Sequence, residues 1–221
     1  MTYDSAEETR GMLTLYDCAG APSPRRARIL LAEKGVRHAT LAVDLRAGEQ
    51  YGKAYSAINP WCTVPALRTE DGAVLTDNAA IAAYLEARFP QPALLGETAL
   101  EKAEVASWNW RAEFEGLHAV MEALRNSSKA MIDRALPGPV RYAQIPQLTE
   151  RGLKRIDEFF AMLDRRLEGR EVVATDRFTV ADITAAVAVD FARVVHRVPG
   201  SQFPHVLQWR VALGQRPSFS L

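Results

Sequence analysis

The fold is decided by one stretch, "NPWCTVPALRTEDGAVLTDNAAIAAYLEARFP", which runs from Asn59 to Pro90. Its segments "VPALRT" and "AVLTD" are short apolar runs on either side of Glu70-Asp71-Gly72, and this composition is typical of a tight turn between two antiparallel strands. Apolar side chains then recur at helical spacing. They are Ile81, Tyr84, Leu85 and Phe89. The stretch therefore predicts a β-hairpin followed directly by a helix.

Two strands and two helices are predicted upstream of this stretch. They are a strand over Met12–Tyr16, a helix over Pro24–Lys34, a strand over Arg37–Asp44 and a weak helix over Glu49–Ile58. Ser23 suits the N-cap of the first helix and Gly35 suits its C-terminal stop. The β-α-β opening predicts a parallel strand pair with a right-handed crossover, to which the hairpin adds antiparallel strands.

The chain is predicted to contain two domains separated by a linker. The segment "PQPALLG", residues 90–96, marks a change in composition, and nearly everything after it has helical periodicity. The predicted helices cover Glu97–Asn126, Leu148–Leu167, a stripe from Val180 to Val194, and His205–Gln215. The boundaries are a flexible leader over 1–11, an α/β domain over 12–89, the linker over 90–96 and an all-helical domain over 97–221. Thr179 and Asp182 are spaced as a capping box with a structural role.

Composition excludes several classes of function. The 27 basic and 27 acidic residues balance, which argues against nucleic acid or an anionic membrane as the main partner. No apolar run approaches the ~20 residues of a membrane span. The two cysteines, Cys18 and Cys62, cannot make a disulfide scaffold, so the expected compartment is the reducing cytoplasm. The four histidines are scattered without the spacing of metal ligands, and no metal is expected.

Four features of the chain together resemble the glutathione S-transferase superfamily. They are "PSPRRARILLAEKG" after the first strand, "NPWCTVPAL" before the third, "EDGAVLTDNAAIAAYLEARFP", and "RFTVADITAA" in the helical region. The resemblance implies a thioredoxin-like N-terminal domain, an all-α C-terminal bundle and a homodimer. It also implies an enzyme that uses glutathione as co-substrate and transfers it to a small electrophile without a metal.

The resemblance assigns glutathione-binding roles to four residues. Pro65 matches a cis-proline, and a cis bend there would turn the main chain of Val64 toward an extended peptide, which could pair with it like an added strand. Asp77 and Asn78 match the pair that holds the γ-glutamyl end. Asn78 is expected as the N-cap of the helix that follows, and Asp77 as the partner of the ligand's ammonium group.

The catalytic turn is predicted around the start of the first helix, and it is of the serine- or cysteine-like kind found in bacterial members. Glutathione must lose its thiol proton to attack, and a helix N-terminus with nearby cations and a hydroxyl donor favours the thiolate. Ser23 is the first candidate for that donor, and Cys18 is the second. Arg25, Arg26 and Arg28 either assist the thiolate or form the solvated face of the helix.

The electrophile is assigned by the same resemblance to side chains of the long helix. Trp108, Arg111 and Phe114 recur there at helical spacing, although core packing and dimer contacts are alternative roles. Two other functions remain open at this point. One is glutathione-dependent thiol-disulfide exchange through Cys18 or Cys62, and the other is a binding protein of the same fold that lacks turnover.

Overall fold

A four-stranded sheet organises the N-terminal part of the molecule. The computed structural model describes residues 11–221, and its sheet has the order β2-β1-β3-β4. The strands are β1 (Thr14–Asp17), β2 (Ala39–Ala42), β3 (Ala66–Arg68) and β4 (Val74–Leu75). β1 pairs in parallel with β2 and antiparallel with β3, and β3 pairs antiparallel with β4. The expected β-α-β unit and hairpin are both present, and Gly72 takes the positive φ of 93° that the hairpin turn requires.

Three helices accompany this sheet, with one short 3-10 turn over Glu49–Tyr51. They are α1 (Pro22–Glu33), α2 (Lys53–Ser56) and α3 (Asn78–Arg88). All four residues of β1 are buried, and Tyr16 on this strand meets the ring of Tyr55 edge-on at a centroid distance of 5.9 Å. The core of this part of the chain therefore lies on the central strand.

Both predicted N-caps in this region are wrong, by one or two residues, whereas Gly35 lies just after the end of α1 as expected, with a positive φ of 62°. α1 begins at Pro22 with Ala21 as N-cap, so Ser23 lies in the first turn instead of capping it. Proline has no N–H to lose and has a helix-like φ, which makes Pro22 a suitable first residue. α3 is capped by Asp77, whose side chain accepts a hydrogen bond from the amide of Ala80 at 2.8 Å, and Asn78 is its first helical residue.

Helices α1 and α3 are joined at both ends. At their first turns the side chain of Asn78 contacts Ser23. At their last turns Lys34 Nζ donates to the carbonyl of Phe89 at 2.7 Å and pairs with Glu86 at 2.8 Å. The Lys34 side chain is fully buried, and a buried ammonium group requires such partners.

The remainder of the described chain is helical, which confirms the predicted fold class of an α/β thioredoxin-like domain followed by an all-α domain. Its helices are α4 (Ala99–Arg111), α5 (His118–Ser127), α6 (Gln147–Leu167), α7 (Val180–Phe191) and α8 (Pro204–Gly214). The long helix predicted over 97–126 is interrupted by a π-helical segment, Ala112–Leu117. Across residues 11–221, no helix combines the length and the apolar character that crossing a membrane requires.

The chain divides into two compact units that do not follow the sequence strictly. The first contains the described residues up to Pro90 together with Pro137–Val140, and the second contains Gln91–Leu136 and Arg141–Leu221. The segment Pro137–Val140 is thus part of the first unit, although the residues on either side of it belong to the second. The leader predicted over 1–11 lies, apart from Gly11, outside the described residues.

Glycine allows a close contact between two helices of the second unit. A Cβ built on Gly152 of α6 would lie 2.7 Å from the amide nitrogen of Ala123 and 2.8 Å from the carbonyl oxygen of Ala119, both on α5. Real Cβ atoms do not approach backbone atoms so closely, so α5 and α6 can pack at this distance only because residue 152 has no side chain.

The predicted capping box at the start of α7 is confirmed, and it is fully buried. Asp182 accepts hydrogen bonds from the amides of Thr179 at 3.0 Å and Val173 at 2.8 Å, and from the indole N–H of Trp209 at 3.3 Å. Burial raises the pKa of Asp182, while these hydrogen bonds act in the opposite direction. A second capping box, formed by Thr98 and Glu101 at the start of α4, is far more exposed to solvent.

The two boxes give a matched pair of stability predictions. We expect Thr179→Ala to lower the free energy of unfolding by about 2 kcal/mol, because the buried box has no water to replace the lost hydroxyl. Thr98→Ala should cost only about 0.5–1 kcal/mol, since water can reach the exposed helix end. Urea denaturation of both variants measures the difference, and equal losses would show that burial does not control the strength of the cap.

Candidate active site

The first turns of α1 and α3 meet at one hydrogen-bonded contact. Asn78 Nδ2 lies 3.1 Å from the carbonyl oxygen of Ser23 and 3.0 Å from Ser23 Oγ. Each helix leaves its first amides without partners inside the helix, and its N-terminus carries partial positive charge. The contact therefore brings two electropositive helix ends to the same place, and both predicted residues, Ser23 and Asn78, lie there.

Ser23 has a second neighbour that the sequence did not identify as a partner. Arg26 Nη2 donates to Ser23 Oγ at 3.3 Å, and the Arg26 residue is only 7% exposed. The sequence left two roles open for Arg26, and a place on the solvated face of the helix is the one that this burial contradicts. It brings a buried positive charge to the hydroxyl group of Ser23.

Arg28 also differs from a solvated surface residue. Its guanidinium pairs with Asp17 at 2.5 Å and donates to the carbonyl oxygen of Ala19 at 3.1 Å. Asp17 ends β1 and Ala19 lies in the loop before α1, so Arg28 fastens that loop to the helix that follows it. We assign Arg28 to the structure of the turn because its guanidinium is engaged by the chain itself.

Asp77 is exposed at the start of α3. Its Oδ1 accepts the capping hydrogen bond from Ala80, and within residues 11–221 no side-chain or main-chain donor lies on its Oδ2. One carboxylate oxygen is therefore occupied by the helix, while the other can accept a hydrogen bond from a ligand. The family resemblance implies that Asp77 is the partner of the ligand's ammonium group.

The loop before β3 presents main-chain groups instead of side chains. The Val64–Pro65 peptide bond is cis. Neither the amide nor the carbonyl of Val64 forms a hydrogen bond within the described part of the chain. Buried backbone groups are nearly always paired, so a ligand with its own amide groups would find partners at Val64.

Two buried side chains hold this loop, and sequence reasoning missed both. Tyr55 donates its hydroxyl to the carbonyl of Thr63 at 2.6 Å, and Asn59 Nδ2 donates to the same oxygen at 2.8 Å. Asn59 Oδ1 also accepts from the amide of Trp61 at 3.0 Å. Burial raises the pKa of Tyr55 far above that of an ordinary tyrosine, so its hydroxyl keeps the proton that it donates.

Gln50 is a further residue that the sequence did not single out. It is buried in the 3-10 turn, and its Oε1 has no hydrogen-bond partner among residues 11–221. An unsatisfied buried amide oxygen is costly, so it is a candidate acceptor for a ligand N–H group. A glutamine in a weakly helical segment carries no sequence signal of this kind.

The two cysteines differ in accessibility, and both are free thiols. Cys18 is partly buried and packs against the apolar cluster that includes Val64 and Tyr55. Cys62 is buried, has a positive φ of 52°, and directs its thiol toward the carbonyl oxygen of Pro60 at 3.7 Å. Cys18 thus lies near the Val64 loop, whereas the Cys62 thiol is already used within its own turn.

The three side chains assigned to the electrophile lie in the second unit, on α4 and the π segment. Trp108 and Arg111 are neighbours, with the guanidinium carbon 5.9 Å from the ring centroid. Phe114 instead stacks on Trp110 at 4.9 Å, and Arg155 lies over it at 4.8 Å. The structure therefore separates the predicted trio into a Trp108–Arg111 pair and a Phe114 stack.

The part of the chain that the structure describes contains no candidate metal centre. Between residues 11 and 221, no three His, Cys, Asp or Glu side chains are grouped so that they could hold an ion. The groups that the first unit offers to a ligand include two helix N-termini, the hydroxyl of Ser23, the carboxylate of Asp77 and the main-chain groups of Val64 that are unpaired within the described chain.

The first unit is a thioredoxin-like domain in which the main chain of Val64, before β3, has no hydrogen-bond partner among residues 11–221. Such a domain followed by a helical domain defines a known class of two-domain protein. Residues 21–88 match the family description "Glutathione S-transferase, N-terminal domain", and residues 118–217 match "Glutathione S-transferase, C-terminal domain". Glutathione S-transferase 2 of Saccharomyces cerevisiae is 31% identical over 223 residues, which cover 99% of this chain and 92% of that protein. The chain belongs to the glutathione S-transferase superfamily.

Solved structures agree with this assignment. A glutathione S-transferase domain-containing protein of Marinobacter aquaeolei superposes with a TM-score of 0.83 at 34% identity, over 93% of this chain and 98% of that chain. Gtt2 of Saccharomyces cerevisiae superposes with a TM-score of 0.82 at 31% identity, over 94% and 98% of the two chains. The similarity extends through both units.

The hydrogen bonds of the Val64 loop lead to a comparison of two variants. We expect Asn59→Ala to lower the free energy of unfolding by about 3 kcal/mol, because Asn59 is buried and its removal takes a partner from the amide of Trp61 and from the hydroxyl of Thr63. Tyr55→Phe should cost about 1 kcal/mol, since the carbonyl of Thr63 keeps its bond from Asn59. Urea denaturation gives both values. A larger cost for Tyr55→Phe would mean that its hydroxyl, and not Asn59, holds the loop.

Proposed function

We propose that the protein is a glutathione transferase that binds glutathione at its first unit and conjugates it to a small electrophile. The observation that carries this proposal is the contact between Asn78 and Ser23, which joins the first turns of α1 and α3. Glutathione has two carboxylates and reacts as a thiolate, so it is an anion at the moment of attack. Two adjacent helix N-termini suit such a ligand, because their free amides and partial positive charge favour anions.

The binding groups correspond to the chemical parts of glutathione. The free oxygen of Asp77 suits the ammonium group, and the first amides of α3 suit the neighbouring carboxylate. The unpaired amide and carbonyl of Val64 suit the cysteinyl part, which would lie alongside the loop like a short added strand. Pro65, which directly follows Val64, belongs to the same proposed binding position. These assignments agree with the roles that the family resemblance gives to the same residues.

In the chemical step, Ser23 stabilises the thiolate and forms no covalent bond. A free thiol has a pKa of ~8.5, and a hydrogen bond to the sulfur together with a positive helix end lowers it. The thiol releases its proton to solvent. The sulfur then uses a lone pair to form the bond to the electrophilic carbon, and the leaving group departs with the electrons of the bond that breaks.

The electrophile contacts are assigned to Trp108, Arg111 and Phe114. The Trp108–Arg111 pair and the exposed Phe114–Trp110 stack both offer aromatic faces with a guanidinium group beside them. Such surfaces favour flat apolar molecules with electron-rich or anionic substituents. The cytoplasm is the expected compartment, because it supplies reduced glutathione and keeps free cysteines reduced.

The test of the catalytic assignment is Ser23→Ala in a conjugation assay with a chromogenic aryl halide. Loss of one hydrogen bond to a charged sulfur costs ~1.5–3 kcal/mol, so we expect turnover to fall by about tenfold or more. Glutathione affinity, measured by titration calorimetry, should stay near the parent value, since Asp77, the first amides of α3 and Val64 hold the peptide. The pH–rate profile should move toward higher pH because the bound thiol becomes a weaker acid.

Cys18→Ala and Cys62→Ala are the controls, and each should conjugate at the parent rate. If Ser23→Ala is fully active while Cys18→Ala is inactive, the working group is the cysteine. A disulfide reductase activity that is lost when a cysteine is removed would favour thiol-disulfide exchange as the reaction. If the parent binds glutathione but conjugates none of a panel of electrophiles, the protein is a glutathione-binding protein and not a transferase.

We also propose a homodimer, in keeping with the family resemblance. Exposed apolar side chains outside the proposed electrophile contacts, among them Trp61 and Leu100, leave surface that an association could cover. Light scattering at micromolar concentration should give twice the chain mass of 24.5 kDa. A mass equal to that of one chain under these conditions would contradict the proposal.

A further inference from the structure

We propose that Asn78 and Arg26 are positioning residues that direct the hydroxyl proton of Ser23 outward, toward the bound thiolate. This inference rests on the proposed function, and it assigns to Asn78 a role other than direct contact with glutathione. It follows from counting the donors and acceptors around one oxygen atom.

The orientation of the Asn78 amide is fixed by a main-chain group. The carbonyl oxygen of Ser23 can only accept a hydrogen bond, and it lies 3.1 Å from the Asn78 side chain. The nitrogen of the amide must therefore face Ser23, and it also donates to Ser23 Oγ at 3.0 Å. The Asn78 amide thus donates to two oxygens of one residue.

The hydroxyl of Ser23 then has one free direction. A serine hydroxyl has two acceptor lone pairs and one proton. One lone pair accepts from Asn78 and the other from Arg26 Nη2 at 3.3 Å. Within residues 11–221, no acceptor takes the proton of this hydroxyl. The proton is therefore available to a third partner, at the N-terminus of α1, where the thiolate is proposed to lie.

The charge of Arg26 strengthens this donor. A hydroxyl that accepts hydrogen bonds, one of them from a cation, is polarised and donates its own proton more strongly. Arg26 is buried, so solvent screens its charge less than that of a surface arginine. An unrestrained serine hydroxyl could rotate and donate elsewhere, and the two donors remove that freedom. The expected effect is a lower thiol pKa in bound glutathione.

A double-mutant cycle tests the proposal on the full chain. The four proteins are the parent, Ser23→Ala, Asn78→Ala and the double variant, each titrated with reduced glutathione. Thiolate ultraviolet absorbance against pH gives the thiol pKa of the bound peptide, and calorimetry gives its Kd. We expect Asn78→Ala to raise the thiol pKa of bound glutathione. The thiolate fraction, measured at a pH below that pKa, should then fall by about threefold to tenfold. In the Ser23→Ala background, Asn78→Ala should cause no further change, because its effect passes through the hydroxyl.

Further variants separate this role from a structural one. Tyr84→Phe, which removes an exposed hydrogen bond from the same helix, should leave the thiol pKa unchanged. Arg26→Gln should change it in the same direction as Asn78→Ala, again only when Ser23 is present. Asn78→Ser, which suits a first helical turn, provides a second substitution if Asn78→Ala melts at a much lower temperature.

Three results would overturn the inference while leaving the proposed function intact. The first is an unchanged thiol pKa in folded Asn78→Ala, the second is an equal change in the presence and absence of Ser23, and the third concerns glutathione affinity. A loss of glutathione affinity in both backgrounds would likewise show that Asn78 contacts the ligand directly. If the parent itself binds no glutathione, the proposed function fails, and that failure is visible before any variant is compared.

Discussion

The pair of connections between α1 and α3 is the constraint on which the first unit depends. Asn78 and Ser23 are 55 positions apart in the sequence, and so are Phe89 and Lys34. The two helices are therefore parallel and aligned residue by residue, with one connection at each end. Because the connections keep one offset, neither helix can slide along the other without breaking both. This arrangement keeps the N-terminal amides of both helices at the same height along the helix axes.

The types of element in this chain could be predicted because they depend on local periodicity. The Glu70–Gly72 turn, the parallel pairing of β1 and the capping box of α7 all follow from short patterns with a strong structural preference. The start of α1 could not be predicted as well, since "PSP" offers two prolines that each suit a first turn. The choice between Pro22 and Pro24 depends on packing that a local pattern does not contain.

The side-chain contacts of the site were less predictable than its location. Family resemblance indicated Ser23, Val64, Asp77 and Asn78, but it gave no reason to connect Asn78 with Ser23, because their contact exists only once two distant helices pack. Arg26 has the sequence context of a surface residue, and only the fold shows that its face of α1 is buried. The long helix over 97–126 has continuous helical periodicity. A π-helical segment of six residues leaves that periodicity nearly intact.

The segment Pro137–Val140 changes how this protein can be divided. Because it belongs to the first unit while its neighbours belong to the second, the chain passes from one unit to the other after Pro90, before Pro137 and after Val140. A single linker would give two modules that one cut separates. Three crossings give a chain that no single cut can resolve into its units, and an N-terminal fragment ending at Pro90 lacks a piece of its own unit. A chimera that takes its first unit from a relative must therefore also take that relative's counterpart of Pro137–Val140.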